Sequence, residues 1–196
     1  MKRLAALILA ASLSVSSGPV LAAAQEYVMD PDHTQVVFMA NHLGFSYVTG
    51  QFRAFDGRLI LDQDKPENSS VSFNLKTDSV NTGHAGLDKH LRTKDFLNVE
   101  QYPTISFVST RVEQTGPDDA KVEGNLTMLG VTKPVVLQIH HNRTAPHPFS
   151  PEKVISGFSA TITVRRSDFG MSYGLPAVGD DVLVTVNAEA SPAPGK

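Results

Sequence analysis

Several residue types and motifs that would indicate particular functions are missing from this sequence. Its 196 residues include no cysteine and no tryptophan. The absence of cysteine excludes disulfides, thiolate metal ligands and cysteine nucleophiles. The sequence also lacks a G-x-S-x-G nucleophile elbow, a P-loop and a dinucleotide-binding glycine motif. Its stability must therefore come from a packed core, for which the chain is long enough.

Long apolar runs are also absent, with one short exception at the start of the chain. Lys2 and Arg3 precede an apolar segment over residues 4–15, and residues 22–24 are three alanines. This pattern predicts a cleaved secretory signal peptide over residues 1–24, because the segment is too short to span a bilayer. Cleavage would make the formal net charge of −3 more negative. An acidic protein of this kind is a poor candidate for binding nucleic acid.

From residue 25 onward, apolar and polar residues alternate in segment after segment. Period-two alternation is typical of half-buried strands. Eight segments show it, at residues 36–40, 57–61, 71–75, 105–107, 122–128, 135–139, 158–164 and 182–188. Turn-forming residues, as at positions 116–119, separate them. The pattern predicts a single all-β domain over residues 25–190 followed by a flexible tail over 191–196. Its antiparallel strands form either a barrel or a sandwich.

The composition of the inward-facing sets favours the barrel. The buried tryptophan and cysteine pair of an immunoglobulin-like sandwich is absent. Phenylalanines share the inward sets with small residues, namely Gly124, Ala160 and Ala188. Small residues leave room along the axis, and an eight-stranded closed sheet can hold one small ligand.

One stretch interrupts the alternation, and we predict a short helical insertion at about residues 83–97. Leu87 and Leu91 are four residues apart and face one side of such a helix. Pro103 marks the return to a strand. We expect this insertion to pack across the barrel as a movable wall or lid, with Leu91 and Phe96 facing whatever the barrel encloses.

A series of short motifs runs in order along the chain. They are Asp32-His33-Thr34, Asn41-His42-Leu43-Gly44-Phe45, Asp88-Lys89-His90-Leu91, Gly124-Asn125-Leu126-Thr127 and Arg166-Ser167-Asp168-Phe169-Gly170-Met171. From about Asp30 to Ala188 this order resembles the YceI-like family. The resemblance implies a lipocalin-like barrel in the periplasm that binds a polyisoprenoid chain, such as a prenyl quinone or prenyl phosphate. One departure is Leu87, because the family usually has Arg before the Asp of its D-x-H-L motif.

A site for a prenyl chain must be a dry, apolar tube with its polar groups at one end. We predict that the apolar ligand-binding residues are Phe38, Phe52, Phe73, Leu75, Phe107, Leu126 and Phe158 along the tube, with Phe45, Leu91, Phe96, Phe169 and Met171 nearer its rim. Each of them could equally be ordinary core. His42, His90 and Arg166 are the headgroup candidates, and the alternative for the two histidines is a structural hydrogen bond. Arg166 has inward parity, and its alternative is an ion pair with Asp168, Asp180 or Asp181.

The residues give little support to metal binding or catalysis. Seven histidines are present, but none shows a spacing such as H-E-x-x-H. We therefore predict no metal, no catalytic residue and no cofactor beyond a bound lipid, and a carrier that transports, stores or sequesters it. Two alternatives stay open. One is an enzyme acting on a lipid or small amide in the same pocket. The other is a module serving a membrane redox protein, which predicts an exposed apolar patch near the barrel mouth. Edge strands would also allow a homodimer.

Overall fold

A computed structural model describes residues 24–194, and within that range the chain is almost entirely β-structure. It contains the short helix α1 (Ala85–Leu91), and three 3₁₀ turns. The strands are β1 (Gln25–Met29), β2 (Gln35–His42), β3 (Ser46–Phe52), β4 (Phe55–Leu61), β5 (Ser70–Lys76), β6 (Val80–Asn81), β7 (Thr104–Gln114), β8 (Asp119–Met128), β9 (Val131–His147), β10 (Ser150–Arg165) and β11 (Val178–Pro192).

Eight of the described strands close into an antiparallel ring. Their order is β1-β4-β5-β7-β8-β9-β10-β11, and β11 pairs back with β1. The other three extend the same walls, because β2 continues along β11 beyond β1, β3 pairs with β2, and β6 pairs with β3. The predicted eight-stranded lipocalin-like barrel is confirmed. The eight segments predicted from alternation correspond to β2, β4, β5 and β7–β11. Strand β1, which closes the ring, was not predicted, and neither were β3 and β6.

The barrel keeps an open axis because its large rings lie against glycines. The residues directly opposite Phe38 and Phe73 in the neighbouring strands are glycines, and Phe107 lies beside a third. A Cβ added at any of these glycines would overlap the facing ring; the pairs are Gly50 with Phe38, Gly57 with Phe73, and Gly124 with Phe107. The rings therefore pack on the neighbouring strand instead of filling the centre. The sequence predicted that phenylalanines share the inward-facing sets with small residues, and these three contacts show how the two kinds of residue fit together.

The predicted helical insertion is present as α1 and the turns that follow it. His84 caps the helix, since its Nδ1 accepts a hydrogen bond from the backbone N–H of Leu87 at 3.2 Å. The buried carboxylate of Asp88 accepts hydrogen bonds from the backbone N–H and the hydroxyl of Thr82, both at 2.7 Å. Arg92 donates from Nη2 to the carbonyl of Val80 at 2.7 Å. These bonds anchor the insertion firmly to β6 and the loop behind it.

The predicted signal peptide and the predicted tail lie at the two ends of the chain. The predicted signal peptide lies outside the described residues, apart from Ala24. The predicted tail begins too early at residue 191, because β11 continues to Pro192. There Ser191 pairs with Val28 and Pro192 with Tyr27, so β1 supplies the strand edge that orders these residues. Among residues 24–194, α1 and the shorter turns fall well below the length and apolarity of a membrane-spanning helix.

The loops at the two ends of the barrel have different characters. At the helix end lie the β2–β3 turn, the insertion between β6 and β7, the β8–β9 turn and the β10–β11 loop. At the turn end lie the β4–β5 loop and the β7–β8 and β9–β10 hairpin turns, together with the first and last strand residues.

Candidate functional site

A cavity of about 720 Å³ runs through the inside of the barrel. Every described strand contributes side chains to its wall, and so does α1. The wall is made mainly of Val, Leu, Ile and Phe side chains from the inward-facing rows. This volume falls within the range of roughly 300–1,000 Å³ that is typical of small-molecule sites.

The cavity wall includes all but two of the residues that the sequence predicts for the site. They are Phe38, His42, Phe52, Phe73, Leu75, Leu91, Phe96, Phe107, Leu126, Phe158, Arg166 and Met171. The two exceptions are Phe45 and Phe169. Phe45 is 89% exposed beyond the β2–β3 turn, while Phe169 is buried in the core next to the cavity. Both lie past the ends of strands, where the period-two rule no longer decides which way a side chain faces.

Arg166 lies in the wall, but the headgroup role predicted for it does not fit its contacts. It is only 3% exposed. Its Nε donates to the carbonyl of Gly179 at 2.8 Å, and Nη1 and Nη2 donate to those of Met171 and Val178, each at 2.9 Å. Burial lowers the pKa of the guanidinium. Arg166 thus ties the β10–β11 loop together.

The ion pair considered for Arg166 belongs instead to its neighbour. Arg165 is exposed and contacts Asp180 at 3.3 Å. Asp180 also accepts hydrogen bonds from the hydroxyl and backbone N–H of Ser167, at 2.7 and 2.9 Å. These hydrogen bonds from Ser167, with a smaller contribution from Arg165, hold the pKa of the Asp180 carboxyl below its usual range. The exposed arginine makes the ion pair and the buried one binds backbone.

Three rings meet at the helix end of the cavity. The ring centroids of His90 and Phe96 are 5.0 Å apart, those of His90 and Tyr173 are 5.2 Å apart, and those of Phe96 and Tyr173 are 5.3 Å apart. The Nε2 atom of His90 lies 3.0 Å from a carboxylate oxygen of Asp95. All three rings line the cavity. The insertion and the β10–β11 loop therefore meet edge to face over this end, which is a favourable geometry for aromatic pairs.

Sequence reasoning missed Tyr173 and only partly used Leu87. Tyr173 lies on a loop without alternation, and its aromatic character is the one available signal. Leu87 was noted as a departure from the family pattern, and its side chain lines the cavity at the helix end. Leu91 and Phe96 line it as well, so the insertion forms a wall as expected. Movement of that wall stays a prediction.

The turn end of the cavity is polar. Its lining residues include Asp62, Gln63, Ser69, Ser70, Gln114, Asp118 and Asp119. The buried carboxylate of Asp62 accepts hydrogen bonds from Asn68 Nδ2 at 3.1 Å and from the backbone N–H of Lys65 at 2.9 Å. These bonds lower the pKa of the Asp62 carboxyl, and the bond from Asn68 contributes most. The tube therefore has an apolar body, an aromatic end and an acidic end.

A second feature missed at the sequence level is a polar group within the wall. The Nε2 atom of His141 lies 2.8 Å from the Thr144 hydroxyl and 3.4 Å from that of Ser156, and the two hydroxyls are 2.6 Å apart. A bulge in the β9–β10 pairing beside Gly157 brings them together. Ser156 is fully buried and does not line the cavity. Its hydroxyl therefore completes a hydrogen-bond network and does not face a substrate.

Within residues 24–194, one group could hold a metal ion. Ligand atoms of Asp30, His33 and Glu189 lie within 4.8 Å of one another. The Asp30 carboxylate lies 2.8 Å from Nδ1 of His33, and this hydrogen bond lowers the pKa of Asp30 and raises that of His33. The trio fixes the bend between β1 and β2, and it does not line the cavity.

Comparison with known proteins places the chain in a family. A family model described as a YceI-like domain matches residues 27–190. The chain belongs to the YceI-like family. A UPF0312 protein of Azotobacter vinelandii is 40% identical to this YceI-like chain over 190 residues, which is 96% of each protein.

Solved structures share the YceI-like barrel. The YceI protein of Campylobacter jejuni superposes with a TM-score of 0.71 at 29% identity, covering 79% of this chain and 90% of that one. A polyisoprenoid binding domain from Saccharophagus degradans superposes with a TM-score of 0.65 at 14% identity, covering 85% of this chain and 98% of that one. At 14% identity the second likeness concerns the fold alone.

Proposed function

We propose that this YceI-like protein is a periplasmic carrier that holds a polyisoprenoid chain inside its barrel, for transport, storage or sequestration. The observation that carries the proposal is the continuous apolar wall of the 720 Å³ cavity. A prenyl chain has no hydrogen-bonding groups, and a polar wall would lose its water without compensation on binding it. The name of the Saccharophagus degradans domain, a polyisoprenoid binding domain of the same fold, supports this ligand class.

The location is proposed from the sequence. Residues 1–24 have the basic, apolar and small-residue regions of a secretory leader. The periplasm is also where a lipid carrier would be needed between two bilayers. Fractionation of cells that express the full chain tests this, since the cleaved protein should be released with the periplasmic contents.

The energetics of loading favour a carrier that both takes up and releases its lipid. Moving one five-carbon unit out of water gains roughly 4 kcal/mol, at about 0.8 kcal/mol per CH₂. The free lipid, however, lies in a bilayer that is as apolar as the tube, so this large gain nearly cancels. Contacts with the headgroup then decide the direction of transfer. Residues at the helix end of the cavity, namely His42, Leu87, His90 and Tyr173, are in place to make them.

The direct test is mass spectrometry of the lipid extracted from protein purified from its own periplasm. We expect an intact prenyl lipid at a stoichiometry near one. Ala160→Trp, which places an indole inside the tube, should abolish the bound lipid, whereas Thr161→Trp on the outer surface of the same strand should retain it. Circular dichroism checks that both variants fold.

Two outcomes would replace the carrier with another function. A chemically altered lipid whose formation depends on His42 or His90 would indicate an enzyme. Folded wild-type protein that never carries lipid, and that co-purifies with a membrane redox protein, would indicate an interaction module.

A further inference from the structure

The β2–β3 turn displays large apolar side chains at the tip of the helix end. Phe45 is 89% exposed and Leu43 is 45% exposed. The turn is a tight one, in which Leu43 has φ +58° and Gly44 has φ +77°. Asn and Gly are the residues favoured at two such consecutive positions, and leucine is a poor choice for making the turn. Leu43 and Phe45 are therefore not explained by the needs of folding.

The turn belongs to a surface formed by two segments without charged residues, which is bordered beside Tyr47 by Arg165, Asp180 and Asp181. Residues 42–48 and 171–178 contain no Asp, Glu, Lys or Arg. The two segments are adjacent, because the N–H of Leu43 donates to the carbonyl of Ala177 at 3.1 Å and His42 pairs with Val178. We call the exposed part of this surface the mouth patch, comprising Leu43, Phe45, Tyr47 and Tyr173.

The mouth patch borders the opening of the cavity. His42, Val178 and Tyr173 all line the cavity wall, and Tyr173 is also 49% exposed on the outer surface. The nearby insertion adds the exposed cations Lys89 and Lys94 at the same end, together with the exposed carboxylate of Glu100. Exposed aromatic and aliphatic side chains together with lysines are the residues that seat proteins in the interface of an anionic bilayer.

We propose that the mouth patch docks the helix end on the surface of a lipid bilayer, with Phe45 and Leu43 inserted among the lipids. This rests on the proposed function, since docking serves to pass a prenyl chain between membrane and tube without crossing water. Each five-carbon unit exposed to water during exit would slow transfer by roughly 10³-fold. Docking removes that barrier. The acidic turn end would be repelled by the same surface.

The chain supplies a matched control for the test. Phe149 is 91% exposed at the tip of the β9–β10 hairpin, at the opposite end of the barrel. Phe45→Ser and Phe149→Ser thus remove equally exposed rings from two hairpin tips. The experiment is flotation of the mature protein with vesicles of phosphatidylethanolamine and phosphatidylglycerol. We expect Phe45→Ser to weaken partitioning about tenfold or more, with Phe149→Ser unchanged. Equal loss in both variants, or no loss in Phe45→Ser, overturns the proposal.

Two further measurements separate docking from lipid binding. Equilibrium binding of a fluorescent prenyl quinone dispersed in detergent should be the same in wild type and Phe45→Ser, while its transfer between donor and acceptor vesicles should slow only in Phe45→Ser. If the wild-type protein floats with vesicles but never binds the probe, the proposed carrier function is wrong and the proposed docking on a bilayer stands. Wild-type protein that binds the probe but floats only with vesicles carrying a membrane redox protein would reject the bilayer as the partner.

Discussion

The two ends of this barrel are built on the same strands but are finished in opposite ways. At the helix end, the charge-free segments of residues 42–48 and 171–178 border the cavity together with three rings that meet edge to face. At the turn end, the cavity is bordered by Asp62, Asp118 and Asp119. Because the walls between are mainly apolar, the loops and not the barrel give the tube its direction. Loops of this kind commonly carry function on a rigid scaffold.

The ends also differ in how their loops are held. At the helix end, Arg92 and Arg166 donate to backbone carbonyls. At the turn end, the Asp62 carboxylate accepts from backbone N–H groups. Each end thus has a buried carboxylate that accepts from backbone N–H groups, Asp88 at the helix end and Asp62 at the turn end, and the helix end adds the two arginines.

The largest expected effect is on the helix end. Arg166→Met leaves three backbone carbonyls of the β10–β11 loop without their donor, and we expect it to lower the free energy of unfolding by about 3–5 kcal/mol. The control is Arg165→Met, which removes an exposed ion pair worth about 1 kcal/mol or less. Urea unfolding measures both. Similar losses in the two variants would mean that the loop is not held by the buried guanidinium.

How far sequence could predict this molecule depends on where strands end. Inside strands, period two correctly places Phe38, Phe107 and Leu126 in the wall. Past the strand ends it fails, because a tight turn carries Phe45 outward and a 3₁₀ turn carries Phe169 behind the wall. Arg166, the first residue past the end of β10, still lines the wall as its parity predicts, but the carbonyls of Met171, Val178 and Gly179 decide what it binds.

The polar network in the wall shows a second limit. The position of His141 follows from its strand parity, but the β-bulge that brings Thr144 and Ser156 to it has no clear sequence signal. The cluster of prolines at residues 146–151 reads as a long loop, whereas β9 continues to His147 and β10 begins at Ser150. The irregular pairing there tolerates residues that lack an N–H. Tertiary pairing decides both features.

A second prediction tests whether the two ends share one tube. A Cβ at residue 124 in Gly124→Ala would overlap the ring of Phe107 and the backbone oxygen of Val108, so the ring has to leave its place on the wall. We expect a loss of about 1–3 kcal/mol in the free energy of unfolding, and a larger loss of affinity for long prenyl chains than for short ones. Gly157→Ala is the control, because its nearest neighbour would be 3.8 Å away. Isothermal titration with a series of prenyl alcohols measures this. Equal losses at all chain lengths would mean that the ligand stays at one end.

A third prediction compares the buried carboxylates at the two ends. Hydrogen bonds from Thr82 lower the pKa of Asp88, as those from Asn68 lower that of Asp62. A carboxyl with a lowered pKa in the folded state stabilises the protein above its unfolded pKa of about 3.9. That stabilisation is lost as the pH falls through the lowered value. Asp88→Ala and Asp62→Ala should each lower the Tm by about 3–6 °C at pH 7, and less with falling pH.

The two variants should separate in function. Asp88 fixes the insertion that covers the mouth, so Asp88→Ala should change the rate of lipid transfer between vesicles. Asp62→Ala should leave that rate unchanged. Glu100→Ala, an exposed carboxylate on the same insertion as Asp88, controls for the loss of charge. Equal rates of lipid transfer in Asp88→Ala and Asp62→Ala would remove the functional distinction between the two ends.

The smallest effect on stability, and the finest test of the helix end, is expected for Leu87→Arg. Leu87 lines the cavity at the helix end of the tube, as do His90 and Tyr173. Its side chain is half-buried, and a change there should alter the free energy of unfolding by about 0.5 kcal/mol or less. A guanidinium in that place would pair with phosphate oxygens, so we expect a shift of about tenfold in preference from prenyl quinone towards prenyl phosphate. Competition binding measures the ratio.

Ala85→Arg provides the matched control for this substitution. It puts the same charge on the same helix at an exposed position that does not line the cavity. A shift in Leu87→Arg alone would assign headgroup choice to the cavity side of α1. An equal shift in both would show that general attraction at the helix end acts on the ligand. No shift in either would confine the insertion to the structural role that its hydrogen bonds to Thr82 and Val80 already give it.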